Sequence, residues 1–116
     1  MLRYVAIRSE IIHVHTSGKG TYEVTPEVAA IVATSNITAG TVTVFVQHTS
    51  CSLVIMENAD PTARRDLEKY FDRLVPEDAA YFQHTSEGSD DMPSHIRMVL
   101  NDCRPEKTAS AYSRRP

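Results

Sequence analysis

Three short stretches of the chain concentrate the residue types that do chemistry. The first, Gln47-His48-Thr49-Ser50-Cys51-Ser52, sets an imidazole, hydroxyls and a thiol between two apolar runs. The second is Glu57-Asn58-Ala59-Asp60-Pro61. The third runs from His84 to His95 and holds two histidines, three carboxylates (Glu87, Asp90, Asp91) and Gly88. From types alone, His48, His84 and His95 with Glu87, Asp90 or Asp91 could ligate a divalent metal, and imidazole with carboxylate suits zinc. Such a metal polarises an oxygen or activates a bound water. The spacing matches no local metal motif such as H-x-x-x-H. The competing account satisfies His48 and His84 with backbone groups at strand ends and leaves His95 on the polar side of a helix.

The other candidates divide in the same way. Cys51 follows His48 by three residues, as a Cys–His nucleophile pair might be written, but a buried, inert thiol between strands is the expectation. Glu57, Asn58 and Asp60 form either a general base with its orienting groups or a turn followed by a helix cap. There is no Gly-rich phosphate loop and no serine elbow. A phosphate could still sit at the helix start near Asp60 or Pro93, where backbone N–H groups are free.

These places need elements to hold them. Tyr4 to His15 alternates apolar and polar residues, which predicts a half-buried strand. A turn over 16–20 and a short strand at Tyr22–Val24 follow. Thr25-Pro26-Glu27 predicts a helix start with a hydroxyl cap and proline at the first position, and Val28, Ile31, Val32 and Ser35 form its apolar stripe. Thr41 to Gln47 and Ser52 to Met56 read as strands. Asp60-Pro61 opens a second helix with Ala63, Leu67, Tyr70, Phe71 and Leu74 inward, stopped at Val75-Pro76. Pro93 opens a last helix with Ile96, Val99 and Leu100 inward. The class is α+β, an antiparallel sheet system with helices against it. If 48–51 were a tight hairpin turn, Glu57 would pair near Val42, about 20 Å from His48. The first two places would then meet only across subunits.

With 116 residues, 41% apolar and 23% charged, the chain is one domain's worth of ordinary globular sequence. No apolar run approaches the ~18–20 residues of a membrane span, and the alternating, charged N-terminus is no signal peptide. A net charge of −3 leaves no footprint for nucleic acid or an anionic membrane. The two cysteines, Cys51 and Cys103, make no disulfide framework, so reduced thiols in a cytoplasmic protein are expected. Acidic residues crowd 57–91, whereas the end from Arg104 is mildly basic.

Four motifs in order carry a family resemblance: Phe45-Val46-Gln47-His48-Thr49-Ser50, Glu57-Asn58-Ala59-Asp60-Pro61, Arg73-Leu74-Val75-Pro76-Glu77-Asp78, and His84 through Pro93-Ser94-His95-Ile96. Over about Arg3 to Leu100 the chain resembles the YjbQ-like family of secondary thiamine-phosphate synthase enzymes. The resemblance implies a compact antiparallel or mixed β-sheet sandwich with two or three short helices, usually as a homotrimer. It also implies a metal site built from histidines, here His48, His84 and His95. Catalytic acid/base roles then fall to Glu57 and Asp91, and substrate contacts to Ser50, Asn58, Asp60, Glu87 and Gly88. The implied activity joins a pyrimidine diphosphate to a thiazole phosphate and displaces pyrophosphate, as a weak, secondary reaction. The expected partner is therefore a small, phosphorylated molecule. Family members continue past the last helix into further strands, with a Gly-Thr-Trp-Gln segment and a terminal Glu-His-Arg strand, whereas this chain has no tryptophan. The expectation is thus one domain over 1–103, C-terminally incomplete and with an exposed sheet edge, followed by an ill-ordered tail over 104–116.

Overall fold

The computed structural model describes residues 5–100 in full, and 101 and 106–113 as backbone elements. In chain order the elements are α1 (Thr25–Thr34), β1 (Ala39–Phe45), α2 (Pro61–Leu74), α3 (Asp91–Asn101) and β2 (Glu106–Ser113). β1 and β2 pair in a two-stranded sheet. Three helices and this sheet bear out the mixed class; among the described residues there is no sheet sandwich. The chain divides into two compact units, one running to Val42 and taken up again at Ser110, the other from Thr43 to Ala109. Within the segment expected as a loose tail, Glu106–Ser113 is strand β2, while 104, 105 and 114–116 lie outside the described residues.

In the first unit, the strand predicted over 4–15 is absent among the described positions. Val5 and Ile7 are each 89% exposed. Alternation assigns side chains to faces but supplies no neighbour to complete a ladder, and no ladder forms there. Arg8 reaches Glu10 two residues on, through Nε at 2.9 Å and Nη2 at 2.6 Å, as side chains on one face of an extended segment do. Tyr22 is not in a strand either; its hydroxyl closes the preceding turn, donating to the Gly18 carbonyl at 2.6 Å and accepting from the Ser17 N–H at 3.0 Å.

Helix α1 starts at its expected cap, Thr25, one residue earlier than predicted. Val24 is the N-cap and makes no side-chain cap bond, and its carbonyl accepts from the Val28 N–H at 3.1 Å. Proline in the first turn removes only an N–H that had no partner there. The predicted stripe of Val28, Ile31, Val32 and Ser35 is half-buried. Asn36 ends the helix at φ 59, a left-handed conformation that asparagine tolerates.

The second unit holds all three chemical stretches. The run Ser52–Met56 is not a strand, and its burial does not alternate; the tight-hairpin geometry therefore does not apply. Asp60 caps α2 as expected, its carboxylate accepting from the Thr62 N–H at 2.9 Å and the Thr62 hydroxyl at 2.7 Å. The half-buried face of α2 is turned from the predicted one and takes in Arg64 and Glu68. Ala63, Leu67 and Phe71 are half-buried and lead to Val75 at 4% exposure, whereas Tyr70 and Leu74 face solvent. The line follows strict i, i+4 spacing, one edge of the wider stripe.

Helix α3 begins at Asp91, two residues ahead of Pro93. Pro93 therefore sits inside the first turn, where no N–H is required of it, and is fully buried. The Asp90 carbonyl accepts from both the N–H and the hydroxyl of Ser94, at 3.1 and 2.7 Å. Of the residues expected inward, Ile96 is half-buried but Val99 and Leu100 are exposed. Arg97 takes the inward role. Its Nη2 donates to the Val75 carbonyl at 2.8 Å and lies 3.3 Å from the Asp72 carboxylate, tying α3 to the end of α2.

Candidate metal centre

The early start of α3 decides the geometry of the third stretch. Asp91 and His95 are four residues apart on one helix and so share a face. His84 lies on the segment before the helix and is brought back by the turn between. In that turn Gly88 donates its N–H to the Thr85 carbonyl at 3.2 Å. Its φ of 109 is open to glycine and strained for other residues.

His84, Asp91 and His95 offer three ligand atoms that lie within 4.8 Å of one another. Asp91 Oδ2 is 2.8 Å from His84 Nε2 and 3.2 Å from His95 Nε2. The two rings are 5.7 Å apart between centroids and inclined at 58°. The side of the group formed by His84, with 47% of its side chain exposed, is open to solvent, whereas Asp91 is 19% exposed.

A backbone group fixes the state of His95. Its Nδ1 is 3.0 Å from the Thr49 carbonyl, which can only accept, so Nδ1 carries a proton. In neutral His95 the lone pair is then on Nε2, the atom facing Asp91. This is the arrangement of metal-ligating histidines, whose second nitrogen is held by an outer hydrogen bond. Two imidazoles, one carboxylate and an open side thus fit a divalent cation of the zinc type.

Protons sit in the same place. The Thr49 carbonyl raises the pKa of His95 from its ordinary value; burial works against this and the Asp91 carboxylate adds to it. For Asp91, burial would raise the pKa, but the hydrogen bond from His84 and the charge of His95 together outweigh it and hold the carboxyl below its usual range. A raised histidine stabilises the fold fully below its unfolded pKa of about 6.5 and loses that contribution as pH climbs through the folded value. The metal-free protein is therefore expected to lose stability as pH rises above about 6.5, and zinc affinity to rise over the same interval because Nε2 must be free of its proton. Urea unfolding midpoints across that range, with and without zinc, check this; a metal-free midpoint that rises with pH would contradict it. The depressed carboxyl of Asp91 acts at the other end, its contribution present above a pH of about 4 and lost as pH falls through the folded value.

The remaining candidates fall elsewhere. His48 is outside this group of ligand atoms; its Nδ1 is 3.0 Å from both the N–H and the hydroxyl of Ser50, within its own turn. Glu57 turns its Oε1 to the N–H groups of Ala59 and Asp60, at 2.7 and 3.1 Å, so it shapes the entry to α2. Asn58 lies exposed in the same turn. Asp60 is held below its usual pKa by the Thr62 N–H and then the Thr62 hydroxyl, as befits a cap. Glu87 adds negative charge that favours protonated His95. Cys51 is exposed, not buried, and the run that follows it is not a strand. Thr49 and Arg97 carry no signal of their roles in the sequence. Thr49 acts through its main chain, which no residue type announces, and Arg97 reads as one more charge on a helix.

The comparisons with known proteins agree with the motifs. The model of the family described as UPF0047 protein YjbQ-like matches residues 10–105. A UPF0047 protein of Synechocystis is 47% identical over 91 residues, 78% of this chain and 62% of the relative. The UPF0047 protein YjbQ of Escherichia coli O157:H7 is 47% identical over 64 residues, 55% of this chain and 46% of the relative. The match thus spans less than two thirds of the length of either relative. Among solved structures, an uncharacterized conserved protein of the yjbq/upf0047 family from Clostridium acetobutylicum superposes with a TM-score of 0.71 at 28% identity, covering 84% of this chain and 71% of that one. A conserved hypothetical protein of Thermus thermophilus gives 0.66 at 32% identity, over 78% and 66%. From its motifs, its matched length and its fold, the chain belongs to the UPF0047 YjbQ-like family.

Proposed function

We propose that the chain is a metal-assisted enzyme acting on small phosphorylated or heterocyclic substrates, with thiamine-phosphate synthesis as a weak, secondary activity. The observation that carries this reading is the convergence of His84 Nε2, His95 Nε2 and Asp91 Oδ2. His84 and His95 would hold a divalent cation, zinc by its donor set, with Asp91 as the third ligand. When bound, such a cation supplies a Lewis acid for a phosphate or carbonyl oxygen. The chain's own part is to orient His95 through the Thr49 carbonyl and to keep Asp91 ionised. The same reading includes the family's homotrimer, a cytoplasmic setting, and a sheet sandwich completed by strands beyond those described here. Among the described residues, no helix is long and apolar enough to cross a membrane.

The test is turnover. Purified protein loaded with zinc is incubated with the pyrimidine diphosphate and the thiazole phosphate, and pyrophosphate release is followed. Slow release that stops on chelation and returns with zinc is expected. Release indifferent to chelation, or none above a heat-denatured control, would remove this reading.

A second reading, a non-catalytic binding or packing module, is favoured by one observation. Glu57 and Asp60, two of the groups available for acid/base work, are both engaged in starting α2. It predicts zinc binding without turnover.

A further inference from the structure

Two histidines in the second unit are fixed in opposite tautomers by backbone groups, and the contrast assigns them different work. His95 donates from Nδ1 to a carbonyl and leaves its Nε2 lone pair for a cation. His48 does the reverse. The Ser50 N–H, which can only donate, meets His48 Nδ1 at 3.0 Å, and the Ser50 hydroxyl meets the same atom at 3.0 Å. The Nδ1 lone pair is thereby occupied, and in the neutral ring the proton is on Nε2. Such a nitrogen offers a cation nothing and offers an oxygen a hydrogen bond.

The position of His48 gives that donor a use. It directly precedes Thr49, whose carbonyl holds His95. Successive Cα atoms are about 3.8 Å apart, so the His48 backbone passes within one residue of the contact to the metal group. His48 is exposed, and its turn is anchored by half-buried Ser50. The His48 donor and the carbonyl that holds His95 are thus carried by adjacent residues of one turn. A neutral N–H donor beside a cation site is suited to a phosphate or carbonyl oxygen, where negative charge gathers.

We propose that His48 is not a metal ligand but a neutral hydrogen-bond donor from Nε2 to an anionic oxygen of the ligand, a phosphate oxygen above all, its tautomer set by Ser50. The proposal rests on the metal-centre reading, and its test separates the two. The probes are zinc alone and inorganic phosphate, applied to the full chain labelled with nitrogen-15. The His48 ring is expected to show a protonated Nε2 and an accepting Nδ1 before and after zinc, while His84 and His95 change. His48→Ala is expected to keep the zinc content of the wild type and to lose about tenfold in phosphate affinity of the zinc-loaded protein, the size of one hydrogen bond to a charged group. His48→Gln, which returns an N–H donor, is expected to recover part of that loss. A protonated Nδ1 on His48, a fall in zinc content in His48→Ala, or phosphate affinity equal to wild type would each overturn the proposal. Failure of the metal centre reads differently: His84 and His95 would not respond to zinc, whatever the tautomer of His48.

Discussion

Replacing His84 or His95 by alanine is expected to abolish stoichiometric zinc binding. Each supplies one of only two imidazole nitrogens in the group, and both lie within hydrogen-bond range of the same carboxylate oxygen. Removing an outer-shell partner of a metal-binding histidine typically costs 10–100-fold in affinity, so losing the ligand itself should cost more than about a hundredfold. The two variants should differ in their side effects. His84 is about half exposed, so metal-free His84→Ala should melt like the metal-free wild type. His95→Ala leaves the Thr49 carbonyl without its donor and should loosen the 48–50 turn as well. Zinc content after gel filtration, together with thermal melts, separates the two effects. Wild-type zinc content in either variant would show that the cation is held elsewhere.

The second large effect is expected at Arg97. Its guanidinium spans from α3 to the Val75 carbonyl and the Asp72 carboxylate. The contact with Asp72, whose side chain is half exposed, is worth little. The bond to Val75 matters more, because it joins the most buried residue of the α2 line to the helix that carries Asp91 and His95. Arg97→Ala leaves that carbonyl unsatisfied in a part-buried position, at a cost of about 1–3 kcal/mol. Both contacts are made by the single atom Nη2, so Arg97→Lys, which keeps a charged donor on a shorter, differently shaped head group, should recover part of the loss. Urea unfolding measures the stability. Zinc affinity should weaken with it, because α3 presents two of the three ligands. Unchanged unfolding in Arg97→Ala would mean that α3 is held by other contacts.

Local rules make part of the fold legible in the sequence. The Asp60-Pro61 cap, the end of α2 at Val75 and the alternation of Val42 and Val44 in β1 follow from a few adjacent residues, and all are present. Of the expected strands, Thr41–Gln47 corresponds to β1, and the others are absent among the described residues. Tyr4–His15 and Ser52–Met56 have the residues of strands, yet pairing depends on partners remote in the chain, and a pattern carries no information about them. The metal group shows the same division. His84, His95 and Asp91 stand out by type, but a helix that starts at Pro93 leaves Asp91 and His95 unrelated. Once α3 starts at Asp91, the two become i and i+4 neighbours and a local motif exists after all. The Thr49 carbonyl was illegible for a different reason, since every residue has one and only the fold decides which is used.

The central claim is that His84, Asp91 and His95 together hold a metal ion, and X-ray absorption at the zinc edge of the loaded protein tests it most directly. The account predicts a first shell of nitrogen and oxygen at about 2.0–2.1 Å, with the outer-shell scattering of two imidazole rings and no sulfur. Sulfur at about 2.3 Å, from Cys51 or Cys103, or a shell without imidazole scattering, would contradict it.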